Sequence, residues 1–282
     1  MRVIVRSGRR LLGRGALTGL LAASAVIGTT AGTASAGTGQ VFVVAHRGDT
    51  DDDPESTLPA FEDAIDAGAD GIEFDVRYTR NGTAVAMHDA TVGSTTNCTG
   101  SVASLTFTKL EKCDAGSWFG PAFAGTKVPT VNHSLLYIAK RSSTVKVFLH
   151  IKTKLTQSQA NNLMKTVKAD GMAGQVIFVV ENDPNGHKLH NAGVPHDDLA
   201  RMVHSAADWQ RDYAILVPYG DADDTGLVTR ALVAAAVSAG KLVLPVQGEP
   251  ASLTQIITDG ANGVYVNDLH AAMATLTADG LR

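Results

Sequence analysis

The amino-acid sequence predicts an α/β fold of the (β/α)8 TIM-barrel class, and three observations carry the prediction. Eight apolar runs of strand length recur at 41–46, 71–76, 145–151, 175–181, 199–205, 213–219, 241–247 and 262–268. Helix-patterned segments separate most of them, as a parallel sheet with crossover helices requires. Reactive polar residues gather where the early runs end, which is where a barrel of this class places its chemistry. A doubly wound α/β sheet is the alternative arrangement of the same elements.

The first 36 residues stand apart from this rhythm. They carry Arg2, Arg6, Arg9, Arg10 and Arg14, continue with an apolar, Ala-rich run, and close on "ASA" before Gly37. That layout predicts a secretory signal peptide over 1–36, a single mature domain over 37–282 and a secreted product. Arg9-Arg10 leaves Sec and twin-arginine export both open. The apolar part is too short, and too rich in Gly and Thr, to predict a membrane span. Of 24 basic and 28 acidic residues, the segment takes away five arginines and no acid, so the formal charge moves from −4 to −9. Bulk charge makes an acidic chain of this kind a poor candidate for nucleic acid or anionic membranes, and a phosphate ligand must be met by a few local cations.

Each run then contributes in order. "VFVVAH" leads into "AHRGD" and sets His46 and Arg47 at its end; the acidic stretch "DTDDD" behind them reads as solvated surface. "STLPAFEDAIDAG" has Leu58, Phe61 and Ile65 on one face, an early Pro59 and Gly68 as a stop, and predicts a helix. In "GIEFDV", alternation puts Glu73 and Asp75 on one face and Ile72, Phe74 and Val76 on the other. Residues 84–130 break the pattern and predict a small lobe inserted after the second strand. This lobe carries the extended run "AVAMHD" with His88, the aromatics Trp118, Phe119 and Phe123, and Cys98 and Cys113. Two cysteines in an exported chain predict a disulfide, which contributes about 3 kcal/mol in the chain-entropy model.

"VKVFLHIKT" turns Val145, Val147, Leu149 and Ile151 to one face and Lys146, Phe148, His150 and Lys152 to the other. The second face becomes polar toward its end. Helices are predicted in "LTQSQANNLMKTVKADG", "TGLVTRALVAAAVSAG" and "SLTQIITDG", while Glu181 leads into a loop, "NDPNG". A second acidic stretch, "GDADD", reads as surface, and His204 and Gln247 are weak candidates for substrate contact.

Taken singly, these polar residues have ordinary explanations: a capped histidine, an exposed carboxylate pair, a lysine snorkelling from an apolar run. Gathered on consecutive strand ends, they predict a site for phosphodiester cleavage. Glu73 and Asp75, two apart on a strand, can share one hard divalent cation. Arg47 and Lys152 can neutralise a phosphoryl group. His46 and His88 suit a general base and general acid, since an unperturbed imidazole titrates at about 6.5.

The order and spacing of His46-Arg47-Gly48, Pro54-Glu55, Ala60-Phe61, Gly68-Ala69-Asp70, Glu73-x-Asp75-Val76, His88-Asp89, "AGSWF", "VPT" and Lys152 resemble the glycerophosphodiester phosphodiesterase family. The resemblance implies a TIM barrel that hydrolyses a glycerophosphodiester to an alcohol and glycerol phosphate with one divalent metal ion, calcium or magnesium. It implies His46 and His88 as the acid/base pair, Arg47 and Lys152 on the phosphate, Glu73 and Asp75 as metal ligands, and Glu55 as a support for Arg47 or the substrate. Three departures stand out. Ser56 replaces the family's usual Asn, residues 245–247 lack an expected aromatic, and His150 replaces a Glu that is normally the third metal ligand. Imidazole in that place admits zinc or another transition ion, and Glu181 is a candidate replacement carboxylate. The alternatives are a lysophospholipase D-like hydrolase, with the lobe's aromatics lining an acyl groove, and a non-catalytic barrel that only binds a phosphodiester. The expected ligand is a small glycerophosphodiester or lysophospholipid, with no nucleic acid and no membrane insertion.

Overall fold

The computed structural model describes residues 40–202, 214–218, 230–246 and 252–282. The expected signal peptide, His204, Gln247 and "GDADD" lie outside the described residues. Among the described residues nine strands form the sheet: β1 Phe42–Ala45, β2 Gly71–Tyr78, β3 Ala84–Ala86, β4 Lys146–Ile151, β5 Val176–Val180, β6 Leu199–Met202, β7 Ala214–Pro218, β8 Leu242–Val246 and β9 Gly263–Val266. Strand β3 pairs antiparallel with β2. The other eight run parallel in chain order, and β9 pairs back onto β1 with Val44 opposite Tyr265, which closes the ring.

Strand parity divides the apolar residues into two layers. Val44, Phe148, Ile177, Val179, Ala200, Leu244 and Tyr265 fill the barrel interior. Val43, Ala45, Ile72, Phe74, Val147, Leu149 and Ile151 face outward into a larger core under the helices. Each valine, leucine, isoleucine or phenylalanine among them contributes roughly 1.5–3 kcal/mol on burial. The interior is filled solid: a Cβ on Gly71 would stand 2.8 Å from the Phe148 ring. On β4 the polar residues of the inward face therefore stand at the two ends, Lys146 at the N-terminal end and His150 with Lys152 at the C-terminal mouth.

The helices are α1 Leu58–Asp66, α2 Phe107–Leu110, α3 Val131–Arg141, α4 Gln157–Ala169, α5 Asp183–Asn191, α6 Arg230–Ser238, α7 Leu253–Thr258 and α8 Leu269–Ala278. Pro59 sits in the first turn of α1, where its missing N–H costs nothing. Thr156 and Gln159 form a reciprocal capping box that starts α4. The expected loop "NDPNG" is instead the start of α5. Asn182 caps it by accepting a hydrogen bond from the Asn185 N–H at 3.2 Å, and Pro184 occupies the first turn.

The inserted lobe has its own small core of Val85, Met87, Val92, Val102, Leu110, Cys113, Ala115 and Val128. Cys98 and Cys113 are disulfide-bonded with Cα atoms 5.7 Å apart. Phe119 stacks edge-on to both Trp118 and Phe123, and Trp118 is 44% exposed. The lobe is joined to the barrel through Met87, whose N–H donates to the Asp75 carbonyl at 2.9 Å.

Candidate active site

His46 extends β1, its N–H donating to the Val266 carbonyl of β9 at 2.8 Å. Its ring is buried and rests against Tyr265, with centroids 5.2 Å apart. Nδ1 lies 2.7 Å from the Asn267 Oδ1. An amide oxygen only accepts, so Nδ1 carries the proton and Nε2 keeps a lone pair. Burial lowers the His46 pKa to about 4 against the pull of Glu73, and the Arg47 charge adds to the lowering. His46 is therefore neutral at physiological pH.

Arg47 takes a left-handed backbone conformation, φ 62°, which is uncommon and strained for a residue with a Cβ. The turn aims its N–H at the Glu73 Oε2, 3.0 Å away. Its Nη1 donates to the Glu55 Oε2 at 2.8 Å, and Nε lies 3.5 Å from the Asp75 Oδ2. Ser56, also left-handed at φ 57°, returns an N–H to the Arg47 carbonyl at 2.8 Å. The guanidinium is thus held by Glu55 on one side and faces the β2 carboxylates on the other. Gly48 makes the turn possible: at φ 85° a Cβ there would lie 2.6 Å from the Ala60 Cβ on α1.

Glu73 and Asp75 are both buried on the inward face of β2, and Asp75 is in register with His150 on β4. His150 Nδ1 lies 3.6 Å from the Glu73 Oε1 and 3.5 Å from the Asp75 Oδ1, while Nε2 lies 3.1 Å from the Glu181 Oε1. Burial works against the imidazolium, yet Glu181, Glu73 and Asp75 together raise the His150 pKa to about 9. Burial and the Glu73 charge push Asp75 up. Burial pushes Glu73 up as well, but His150, His46 and Arg47 outweigh it and leave Glu73 below its usual range. The same two acids, together with burial, push the Tyr265 phenol well above its ordinary value, so it stays protonated.

The donor atoms of Glu73, Asp75 and His150 all lie within 4.8 Å of one another. Glu73 Oε1 and Asp75 Oδ2 are buried without a hydrogen-bond partner among the described residues. Buried carboxylate oxygens without donors, in a trio whose donor atoms stand this close, fit a divalent ion, and the imidazole fits a transition ion better than calcium or magnesium. Glu181 stands outside this trio. Its carboxylate pairs with His150 and with Lys152 Nζ at 2.8 Å, and acts as counter-ion to both.

His88 follows β3. Its Nδ1 lies 2.9 Å from the Asp89 Oδ1, and Asp89 Oδ2 accepts from Ser94 Oγ at 2.6 Å. Arg77 Nε donates to the His88 carbonyl at 2.7 Å. Burial and the Arg47 charge lower the His88 pKa against the pull of Asp89.

The structure thus brings together His46, Arg47, Glu55, Glu73, Asp75, His88, His150, Lys152 and Glu181, while Cys98 and Cys113 belong to the lobe. Sequence reasoning assigns no role to Asn267, Tyr265, Asp89, Ser94 or Arg77. The parity of the last strand points to two of them, since Tyr265 and Asn267 are two apart and share the inward face with His46.

Residues 46–182 match the model of the Glycerophosphoryl diester phosphodiesterase family. A glycerophosphodiester phosphodiesterase of Caldanaerobacter subterraneus is 38% identical over 139 residues, covering 49% of this chain and 57% of that protein. One from Bacillus subtilis is 28% identical over 81% of this chain and 84% of its own length. The chain therefore spans little more than half the length of the first of these relatives. A solved Oleispira antarctica phosphodiesterase in complex with the product sn-glycerol-3-phosphate superimposes with a TM-score of 0.75 at 19% identity, covering 84% of this chain and 97% of that one. A Silicibacter pomeroyi structure gives 0.72 at 20% identity, covering 86% and 94%. At such identities the structural likeness shows the barrel fold. The matched segment holds His46, Arg47, Glu55, Glu73, Asp75, His88, His150, Lys152 and Glu181, and over this segment the chain is similar to the Glycerophosphoryl diester phosphodiesterase family.

Proposed function

We propose that this protein is a secreted, metal-dependent glycerophosphodiester phosphodiesterase that releases an alcohol and glycerol phosphate by His/His acid–base catalysis. The observation that carries the reading is the pairing of two imidazoles, each tied at Nδ1 to an oxygen and leaving Nε2 for chemistry, with the buried Glu73–Asp75–His150 trio. Arg47 and Lys152 offset the charge of the phosphodiester. Neutral His46 accepts the proton of the attacking hydroxyl as its oxygen bonds to phosphorus. The P–O bond to the departing alcohol breaks, and His88 supplies the proton that this oxygen needs. Asp89 and the arriving substrate anion both favour the protonated form of His88. The nucleophile is water or the substrate's own 2-hydroxyl; in the second case water opens a cyclic phosphate afterwards, with the same net balance. Glu73, Asp75 and His150 would hold the ion, whose chemistry when bound is to stabilise negative charge on the phosphoryl oxygens.

Export is supported by the charged, apolar and small-residue layout of 1–36 and by the Cys98–Cys113 bond, which suits an oxidising compartment. The test is release of glycerol phosphate from glycerophosphocholine or glycerophosphoethanolamine by purified protein with added divalent ions. Turnover is expected, with His46→Ala and His88→Ala each lowering it by about 10²–10⁴-fold. Absence of turnover on every diester with every ion overturns the reading, and binding without turnover selects the non-catalytic barrel. The exposed Trp118 keeps a lysophospholipid in view, and faster turnover of an acylated than of a deacylated diester selects that reading.

A further inference from the structure

The loop leaving β1 is less exposed than its five-residue run "DTDDD" suggests. Asp49 is fully buried, and Asp53 is buried too, while Asp51 and Asp52 are exposed. The Asp49 N–H donates to the Ala60 carbonyl at 3.0 Å, which draws the loop onto α1. Its Oδ1 accepts from the Asp51 N–H at 3.3 Å, but its Oδ2 is buried without a hydrogen-bond partner among the described residues. A buried carboxylate oxygen with no donor is costly unless a cation meets it.

Three further side chains gather beside Asp49: Asp52 from the same loop, Asp63 from α1, and His270 from the first turn of α8, which faces that oxygen. One donor atom from each of the four lies within 4.8 Å of the others. His270 Nε2 is 3.0 Å from the Asp63 Oδ2 and 3.8 Å from the Asp49 Oδ2. Around a divalent ion with bonds of about 2.0–2.4 Å, neighbouring ligand atoms stand roughly 3–3.4 Å apart and opposite ones roughly 4–4.8 Å apart. The 3.0 Å spacing matches neighbouring ligands, and the 3.8 Å spacing lies between the two ranges. Exposed acidic clusters are ordinary on protein surfaces; the orphaned Asp49 oxygen aimed into this one is not.

We propose that Asp49, Asp52, Asp63 and His270 form a second divalent-cation site, separate from the Glu73–Asp75–His150 trio. Three carboxylates and one imidazole suit a first-row ion such as zinc or manganese over magnesium or calcium. Its role is to clamp the loop behind His46 and Arg47 to α1 and α8. The clamp reaches the active site through the backbone: the Thr50 N–H donates to the Asn267 carbonyl at 3.2 Å, and the Asn267 side chain holds His46.

The test is bound metal per chain, which does not depend on what the enzyme hydrolyses. Full-length protein, Asp63→Asn and His270→Ala are stripped with chelator, equilibrated with zinc or with manganese, desalted and analysed by atomic emission. Each variant is expected to hold one equivalent fewer than the unaltered protein and to lose that equivalent's share of the metal-induced rise in Tm. Glu73→Gln, combined with either, removes a different equivalent. Equal metal content in the unaltered protein and in natively folded Asp63→Asn or His270→Ala overturns the proposal, and leaves His270 as an ion-pair partner of Asp63 only. Both positions are partly exposed, so circular dichroism suffices to verify the fold.

Discussion

Asn267 Oδ1 stands 2.7 Å from His46 Nδ1, joining residues 221 positions apart in the chain. The contact fixes the tautomer of the proposed base. Asn267→Ala is therefore expected to lower kcat by about 10–100-fold, the usual cost of losing a partner that orients a functional histidine. Asn267→Asp puts a carboxylate beside the imidazolium and raises the His46 pKa by about 1–3 units. Because the base must be neutral, the acid limb of the kcat/KM profile moves to higher pH by the same amount. An unshifted limb in Asn267→Asp would show that His46 is not the base.

The proposed preference for a transition ion rests on His150. Its imidazole takes a place between Glu73 and Asp75 where the resemblance implies a carboxylate. His150→Glu restores an all-oxygen trio with one more negative charge, and is expected to move optimal activation from zinc or manganese toward calcium or magnesium. Activity measured across a series of divalent ions decides the point; an identical ranking in both proteins would remove His150 from the metal site.

In chelator, with no ion bound, His150 makes stability depend on alkaline pH. Its folded pKa of about 9 lies above the unfolded value near 6.5. The folded state binds the proton more tightly, so the contribution is fully present below about pH 6.5 and is lost as pH rises through about 9. A difference of about 2.5 units corresponds to about 3 kcal/mol. Thermal unfolding between pH 6.5 and 9 should show this loss, and His150→Gln should show a flatter profile over the same window from a lower starting Tm.

Gly48→Ala is expected to be severe for its size. A side chain at φ 85° costs about 1–2 kcal/mol, and a Cβ 2.6 Å from that of Ala60 forces the loop off α1 at a further cost of about 1–3 kcal/mol. For a domain of this length that is a fall in Tm of about 5–15 °C. Because the same turn aims Arg47, kcat should fall even at temperatures where the variant is folded, and a variant destabilised yet fully active would contradict the role given to the turn.

How much of this was legible in the sequence follows from what each signal depends on. Alternation on a strand buried on both faces has a strict period of two, so Glu73, Asp75 and His150 could be assigned to the mouth and Ile72, Phe74 and Leu149 to the outer core without coordinates. Asn267 and Tyr265 obey the same rule, but their relevance depends on the β9–β1 register that closes the ring, which local sequence does not encode. "NDPNG" is ambiguous because the residues that build turns also cap helices, and only the backbone of Asn182 separates the two. Asp49 reads as surface because charge alone suggests it; the close approach that buries it depends on Gly48 meeting Ala60, a contact between two elements.

The closure of β9 onto β1 also sets a timetable. A polypeptide emerges from its N-terminus, so His46, Arg47, Glu73, Asp75 and His88 are all made well before the last strand of the barrel. Asn267 and the Tyr265 ring that seat His46 arrive only with β9 and the residue after it. Until the last strand docks, His46 lacks the groups that fix its proton and its orientation, so a chain cut before β9 carries nearly every side chain of the candidate site and still lacks what the proposed base needs.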